Sequence, residues 1–165
     1  MSTDYSEDRL IQKSAAELME TELGWASVYA YDKEVLGENG TFGRNSFHEV
    51  LLTQRFRLAL KKLNPWINDK QIAEAIERMT ERMSSQTLMQ INEQKYQFIR
   101  DGIPVTRIKP DGTSEEIKAV VIDFENIDNN DFLCVRELWI YGALYRRRAD
   151  IVGFVNGIPL LFVEL

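Results

Sequence analysis

Apolar residues recur at helical spacing through the first two thirds of the chain and at strand spacing through the last third. Leu10, Ile11, Ala15, Leu18 and Met19 make one stripe with a period near 3.6, which predicts a first helix over residues 7 to 22. Ser6 is placed to cap it and Gly24 to stop it. Trp25 to Tyr31 alternates as a strand, and Gly37, Gly40 and Gly43 mark a loop. Ser46-Phe-His-Glu49 has the spacing of a capping box, in which the hydroxyl takes one free amide and the glutamate another. It predicts a helix carrying Phe47, Val50, Leu51, Phe56, Leu60 and Leu63, ended by Asn64-Pro65. Asn68-Asp-Lys-Gln71 repeats the box ahead of Ile72, Ile76 and Met79, and a fourth helix is expected near Leu88 to Ile99 with Gly102 closing it.

The period then changes. Ile103 to Ile108 and Ile117 to Ile122 flank Pro110-Asp111-Gly112, whose residues favour a turn. Asn126 to Asn130 reads as a polar loop and Phe132 to Tyr141 as a strand. Two more strands surround Asn156-Gly157. Helix, strand, helices, then a run of strands predicts an α/β chain of the layered α+β kind, its sheet packed on the first helix.

A chain of 165 residues fits one domain, residues 1–165, and buries roughly 70% of its unfolded surface on folding. It is 44% hydrophobic and 28% charged, a globular composition. One cysteine, Cys134, in an apolar run excludes a disulfide framework and a thiolate metal cluster, and a reducing cytoplasm is the expected location. The acidic start excludes a secretory signal, and no run approaches the roughly 18 apolar residues of a membrane span, so no membrane partner is expected. A net charge of -6 argues against a free-standing, tight nucleic-acid binder. It leaves room for a nuclease domain that is held on DNA by a larger assembly. The glycines of the 37–43 loop do not form a P-loop, because no Gly-Lys-Ser/Thr follows. His48 has no metal-binding neighbour in sequence, Trp25, Trp66 and Trp139 read as core, and Cys134 reads as a small buried hydrophobe.

The candidate chemistry lies in the last sixteen residues. Asp150 and Glu164 stand at the outer ends of two apolar strands, where a charge needs a partner, and a divalent cation is one that two carboxylates can share. Strand parity tests the pairing, because directly opposed residues of a hairpin share a face. A two-residue Asn156-Gly157 turn sets Asp150 against Val163 and turns Glu164 away, so that no metal could be shared. A three-residue loop puts Glu164 diagonal to Asp150 or directly opposite, and a three-residue, bulged connection is therefore expected. Mg²⁺ on hard oxygen ligands would supply an activated water and neutralise charge at a phosphodiester in transition.

Asn130-Asp-Phe-Leu133, Tyr145-Arg-Arg-Arg-Ala-Asp150 and Ile151 to Leu165 closely resemble the nuclease domain of the restriction (R) subunit of type I restriction-modification enzymes. Ser6-Glu-Asp, Leu23-Gly-Trp25, Gly43-Arg-Asn-Ser46, Glu49-Val-Leu51, Arg55, Arg57 and Leu63-Asn-Pro65 extend the likeness over nearly the whole chain. The resemblance implies a restriction-endonuclease-like core, a mixed central sheet flanked by helices, with a helical insert from Ser46 to Ile99. It also implies the PD-(D/E)xK signature, with Asp150 and Glu164 as catalytic metal ligands and Mg²⁺ as cofactor. The family's lysine falls two residues after Glu164, so the chain as given is expected to be catalytically incomplete. A first-helix carboxylate often joins the family's site; Glu7 is the first candidate and Glu17 the second. Arg146, Arg147 and Arg148 are candidate DNA-phosphate contacts, against the plainer reading of an exposed strand entry. Ala149 replaces the family's usual proline and Glu137 a common glutamine. The function implied is metal-dependent cleavage of double-stranded DNA, coupled in the intact protein to translocation by an ATP-driven motor outside these residues. The modification and specificity subunits are the implied partners. Two rivals stand beside it: a catalytically inert assembly or docking module, and a small free-standing nuclease of the resolvase or repair type, which the acidic balance and the helical insert oppose.

Overall fold

The structure, a computed structural model, describes residues 7–81 and 85–165, with side chains from residue 10 onward. In chain order the elements are α1 (Glu7–Leu23), β1 (Ala26–Tyr29), α2 (Thr53–Leu63), α3 (Asp69–Thr80), α4 (Leu88–Asp101), β2 (Ile103–Ile108), β3 (Ser114–Ala119), a 3-10 turn (Ile127–Asn129), β4 (Phe132–Tyr141), β5 (Arg146–Val155) and β6 (Ile158–Val163). The chain divides into two compact units, Met1–Gln54 with Asp131–Leu165, and Arg55–Asn130.

The first unit holds a four-stranded sheet in the order β1-β4-β5-β6. β1 runs parallel to β4, and the other pairs are antiparallel, so the sheet is mixed as expected. Alternation along β4 builds two cores. Leu133 and Val135 join Ala30, Phe42, Leu52, Val152 and Phe154 on one side, while Cys134 joins Ile151 and Ala16 of α1 on the other. Helix α1 thus packs on the sheet, and Gly24 ends it with a φ of 69° that glycine adopts without strain. The stripe expected to face the sheet is rotated. Ala16 is buried with Ala15 and Met19 beside it, whereas Leu10, Ile11 and Leu18 are exposed. Two alanines let the helix lie close on the strands, which the bulkier stripe would hold off.

The Ser46–Glu49 capping box does not form, and the helix begins at Thr53. Ser46 Oγ accepts from the His48 amide at 3.3 Å, and the Glu49 carboxylate accepts from Asn45 at 3.2 Å. Tertiary bonds hold this segment out of a helix. The Glu49 carbonyl accepts from buried Arg44, and the Leu52 amide donates to Gly157 at 2.9 Å.

In the second unit, the expected helices from Asn68 and to Gly102 are present, and the Asn68/Gln71 box is complete. The β2–β3 hairpin closes over Pro110-Asp111-Gly112. Buried Asn64 donates to the carbonyls of Leu60 and Val120 and accepts from the Val120 amide, tying the end of α2 to the segment after β3. The stretch read as a helical insert therefore shares its unit with a β-hairpin. Trp66, expected in a core, is 45% exposed. Among the described residues no helix is long and apolar enough to cross a membrane.

Candidate active site

The β5–β6 hairpin decides whether Asp150 and Glu164 can meet. Its connection is a two-residue turn, Asn156-Gly157, with φ values of 53° and 80°, not the expected three-residue loop. Asn156 fixes it. Its amide donates to the Asp131 carbonyl and its side-chain oxygen accepts from the Asp131 amide, both at 2.7 Å, in a fully buried position. The extra residue lies inside β6 instead. Gly153 pairs with Leu161 and Phe154 with Pro159, which leaves Leu160 as a bulge. Pro159 has no N–H to carry the ladder across that point, and β6 is an edge strand, where this is tolerated. Gly153 sits opposite the bulge in a tight place, since a Cβ there would lie 2.9 Å from both Trp25 and Leu161.

The bulge restores the parity that a two-residue turn would have lost. Ile151 pairs with Val163, the last rung of the hairpin, and Asp150 and Glu164 each lie one residue beyond it on their own side. Asp150 is half-buried, and its Oδ2 accepts from the Leu165 amide at 2.8 Å. Glu164 is exposed.

A second irregularity stands at the same level of the sheet. Val135 and Leu138 of β4 lie in one core, three residues apart, and so do Val152 and Ala149 of β5. Regular alternation would place each pair on opposite faces. Both strands slip at one rung, where Glu137 and Asp150 are left out of the register between the pairs Arg136–Ile151 and Leu138–Ala149. Glu137 has a φ of 59°, a left-handed conformation that costs a non-glycine residue about 1–3 kcal/mol and is often found at functional sites. It is only 4% exposed and forms an ion pair with Nε of Arg148. That approach lacks hydrogen-bond alignment, so Glu137 Oε2 is buried without a hydrogen bond.

The remaining candidates separate. Glu17 is exposed and paired with Lys13 at 3.6 Å. Glu7 opens α1, and its side chain lies outside the described residues, as does the Ser6 cap. Among the described residues no three His, Cys, Asp or Glu side chains gather as a metal site. Arg146 lies over the Tyr141 ring at 5.5 Å, and Arg148 lies between Tyr31 at 4.7 Å and Trp139 at 5.9 Å. Trp139 is therefore a wall of this cluster rather than plain core. His48 is exposed and meets Tyr141 edge-on. Cys134 is fully buried, and desolvation pushes its thiol pKa up. Sequence reasoning gave Glu137 no role beyond replacing a common glutamine. The available signal was a glutamate inside the apolar run Leu133–Ile140, one residue from Arg136.

Four helices, a mixed four-stranded sheet and a two-stranded sheet are consistent with an α+β, nuclease-like fold. The chain belongs to the family of the type I restriction enzyme R protein N terminus, whose model matches residues 4–165. It is 32% identical over 145 residues to the type I restriction enzyme HindI endonuclease subunit of Haemophilus influenzae, an alignment covering 87% of this chain and 13% of that protein. It is 26% identical over 162 residues to the protein assigned as the type I restriction enzyme MjaIXP endonuclease subunit of Methanocaldococcus jannaschii, covering 96% of this chain and 15% of the relative. The chain thus spans about one seventh of the length of these relatives.

Proposed function

We propose that these residues form the nuclease module of a type I restriction enzyme, which hydrolyses phosphodiesters of double-stranded DNA with Mg²⁺. The observation that carries this reading is the Leu160 bulge, which shifts the β5–β6 register so that Asp150 and Glu164 each lie one residue beyond the Ile151–Val163 rung despite a two-residue turn. Two carboxylates presenting hard oxygens on one face are the donor set that Mg²⁺ prefers. Asp150 and Glu164 would hold the ion, and the Leu165 amide orients Asp150 by occupying its Oδ2. Once bound, the ion would activate water and offset charge on the phosphate. Glu7, at the start of α1, is the proposed third carboxylate. Arg146, Arg147 and Arg148, entering β5 beside Asp150, would bind DNA phosphates. In a longer R protein this module would act with an ATP-driven motor and with modification and specificity subunits, in the cytoplasm.

Calorimetric titration of the 165-residue chain with Mg²⁺ tests the site. Wild type should bind one ion, and Asp150→Asn or Glu164→Gln should each weaken binding at least about tenfold, since each removes a charged oxygen donor. Equal binding by all three proteins would remove the basis for the nuclease reading.

A further inference from the structure

The three arginines before Asp150 are not equivalent. Among the described residues Arg147 makes no hydrogen bond, ion pair or ring contact, and Arg146 rests on one ring. Arg148 alone is held from three sides. Its Nε faces the Glu137 carboxylate, and its guanidinium lies between the rings of Tyr31 and Trp139. Trp139 is its direct partner across β4 and β5, so the strand register itself brings ring and guanidinium together. Among the described residues its two terminal nitrogens donate to nothing, and the side chain is 38% exposed.

We infer that Arg148 grips the DNA phosphate beside the Asp150–Glu164 pair, and that Glu137 is the positioning residue that fixes it; this rests on the nuclease reading above. A guanidinium offers its N–H groups as a rigid planar fork. Glu137 takes the inner edge at Nε, and the two rings fix the plane. The outer edge, with both terminal nitrogens, remains for a bidentate bond to a phosphate. Ala149 between them is buried in the core, while Arg148 is exposed and Asp150 half-buried. A buried carboxylate with a strained backbone is a costly way to hold a surface arginine. The cost is explained if ordering that arginine before binding is its use, since less freedom is then lost when the phosphate arrives.

The charge of Glu137 makes the test decisive in sign. Removing a negative charge beside a DNA site strengthens binding if only Coulomb attraction matters, and weakens it if the charge holds Arg148 in place. The measurement is fluorescence anisotropy of a labelled 20-base-pair duplex titrated with the 165-residue chain in Ca²⁺ over a salt series. Arg148→Gln should lose roughly tenfold or more in affinity and lower the salt slope by about one. Glu137→Leu should weaken binding several-fold, and Glu137→Gln, which keeps the shape but removes the charge facing Nε, should weaken it as well. Wild-type binding should also change Trp139 fluorescence, read in a Trp25→Phe, Trp66→Phe background, and Glu137→Leu should reduce that change. If Glu137→Leu does not fold, Arg148→Gln and the Trp139 signal decide alone. Duplex binding by wild type with undiminished affinity in Glu137→Leu, or in Arg148→Gln, overturns this inference and spares the nuclease reading. Wild type that binds no duplex at the lowest salt overturns this inference, and the Mg²⁺ titration above decides the nuclease reading separately.

Discussion

Asp150→Ala, in a complete R protein carrying this chain, should lower duplex cutting by at least about a hundredfold and leave ATP hydrolysis within about twofold. The expectation follows from position. Asp150 and Glu164, each one residue beyond the Ile151–Val163 rung, are the two proposed ligands, so loss of Asp150 would leave Glu164 alone to hold a cation. One exposed carboxylate binds Mg²⁺ weakly, because the ion gives up its water reluctantly. The cost in stability is small by comparison. Asp150 is half-buried and accepts one amide bond, a contribution of about 1 kcal/mol. Cutting and stability should therefore separate. A variant that loses DNA cutting and ATP hydrolysis together would indicate a folding defect, and one that cuts normally would remove Asp150 from the site.

Arg44→Leu should destabilise the first unit by about 3–5 kcal/mol, the range for stripping one partner from a buried ion pair. Arg44 is 1% exposed and its partner, the Glu34 side chain, 3%. The fork donates to both Glu34 oxygens, at 2.5 and 2.6 Å, and to the carbonyls of Glu49 and Trp139 at 3.1 and 2.8 Å. Leucine fills part of the volume but leaves a carboxylate in the interior without a counter-charge and two carbonyls without a donor. Arg44→Leu with Glu34→Leu should recover most of the loss, since the uncompensated charge is then gone. Urea unfolding followed by fluorescence in a Trp66→Phe background reads the first unit through Trp25 and Trp139. A single-variant loss below about 1 kcal/mol would show that the pair is solvated rather than buried. Because Arg44 also bonds the Trp139 carbonyl, the same variant should blunt the Trp139 response to DNA.

The sequence was legible wherever local chemistry and tertiary packing agree. Asn68 and Gln71 cap α3 from within four residues, and that box forms as read. Gly24 and Gly102 end helices at positive φ, as their positions suggested. Ser46 and Glu49 have equally good local spacing, yet Arg44 and Gly157 take up the backbone groups a helix would need. Nothing in those four residues announces that Arg44 takes the Glu49 carbonyl or that Gly157, far along the chain, takes the Leu52 amide. The carboxylate pair shows the same division. Parity required one extra residue somewhere in the hairpin, and the sequence suggested the turn. Asn156 is committed to Asp131, which keeps the turn short and moves the irregularity to Leu160 beyond Pro159. The requirement was readable and its location was not. Glu137 was harder, because its meaning depends on a rung of the sheet where two strands slip together.

Anomalous diffraction from crystals of the chain grown with Mn²⁺ tests the central claim most directly. The account predicts one strong peak bound by oxygens of both Asp150 and Glu164, at roughly 2.0–2.3 Å, close to the hard-cation range. Carboxylates directed to opposite sides of the sheet, or manganese bound only at other residues, would contradict it.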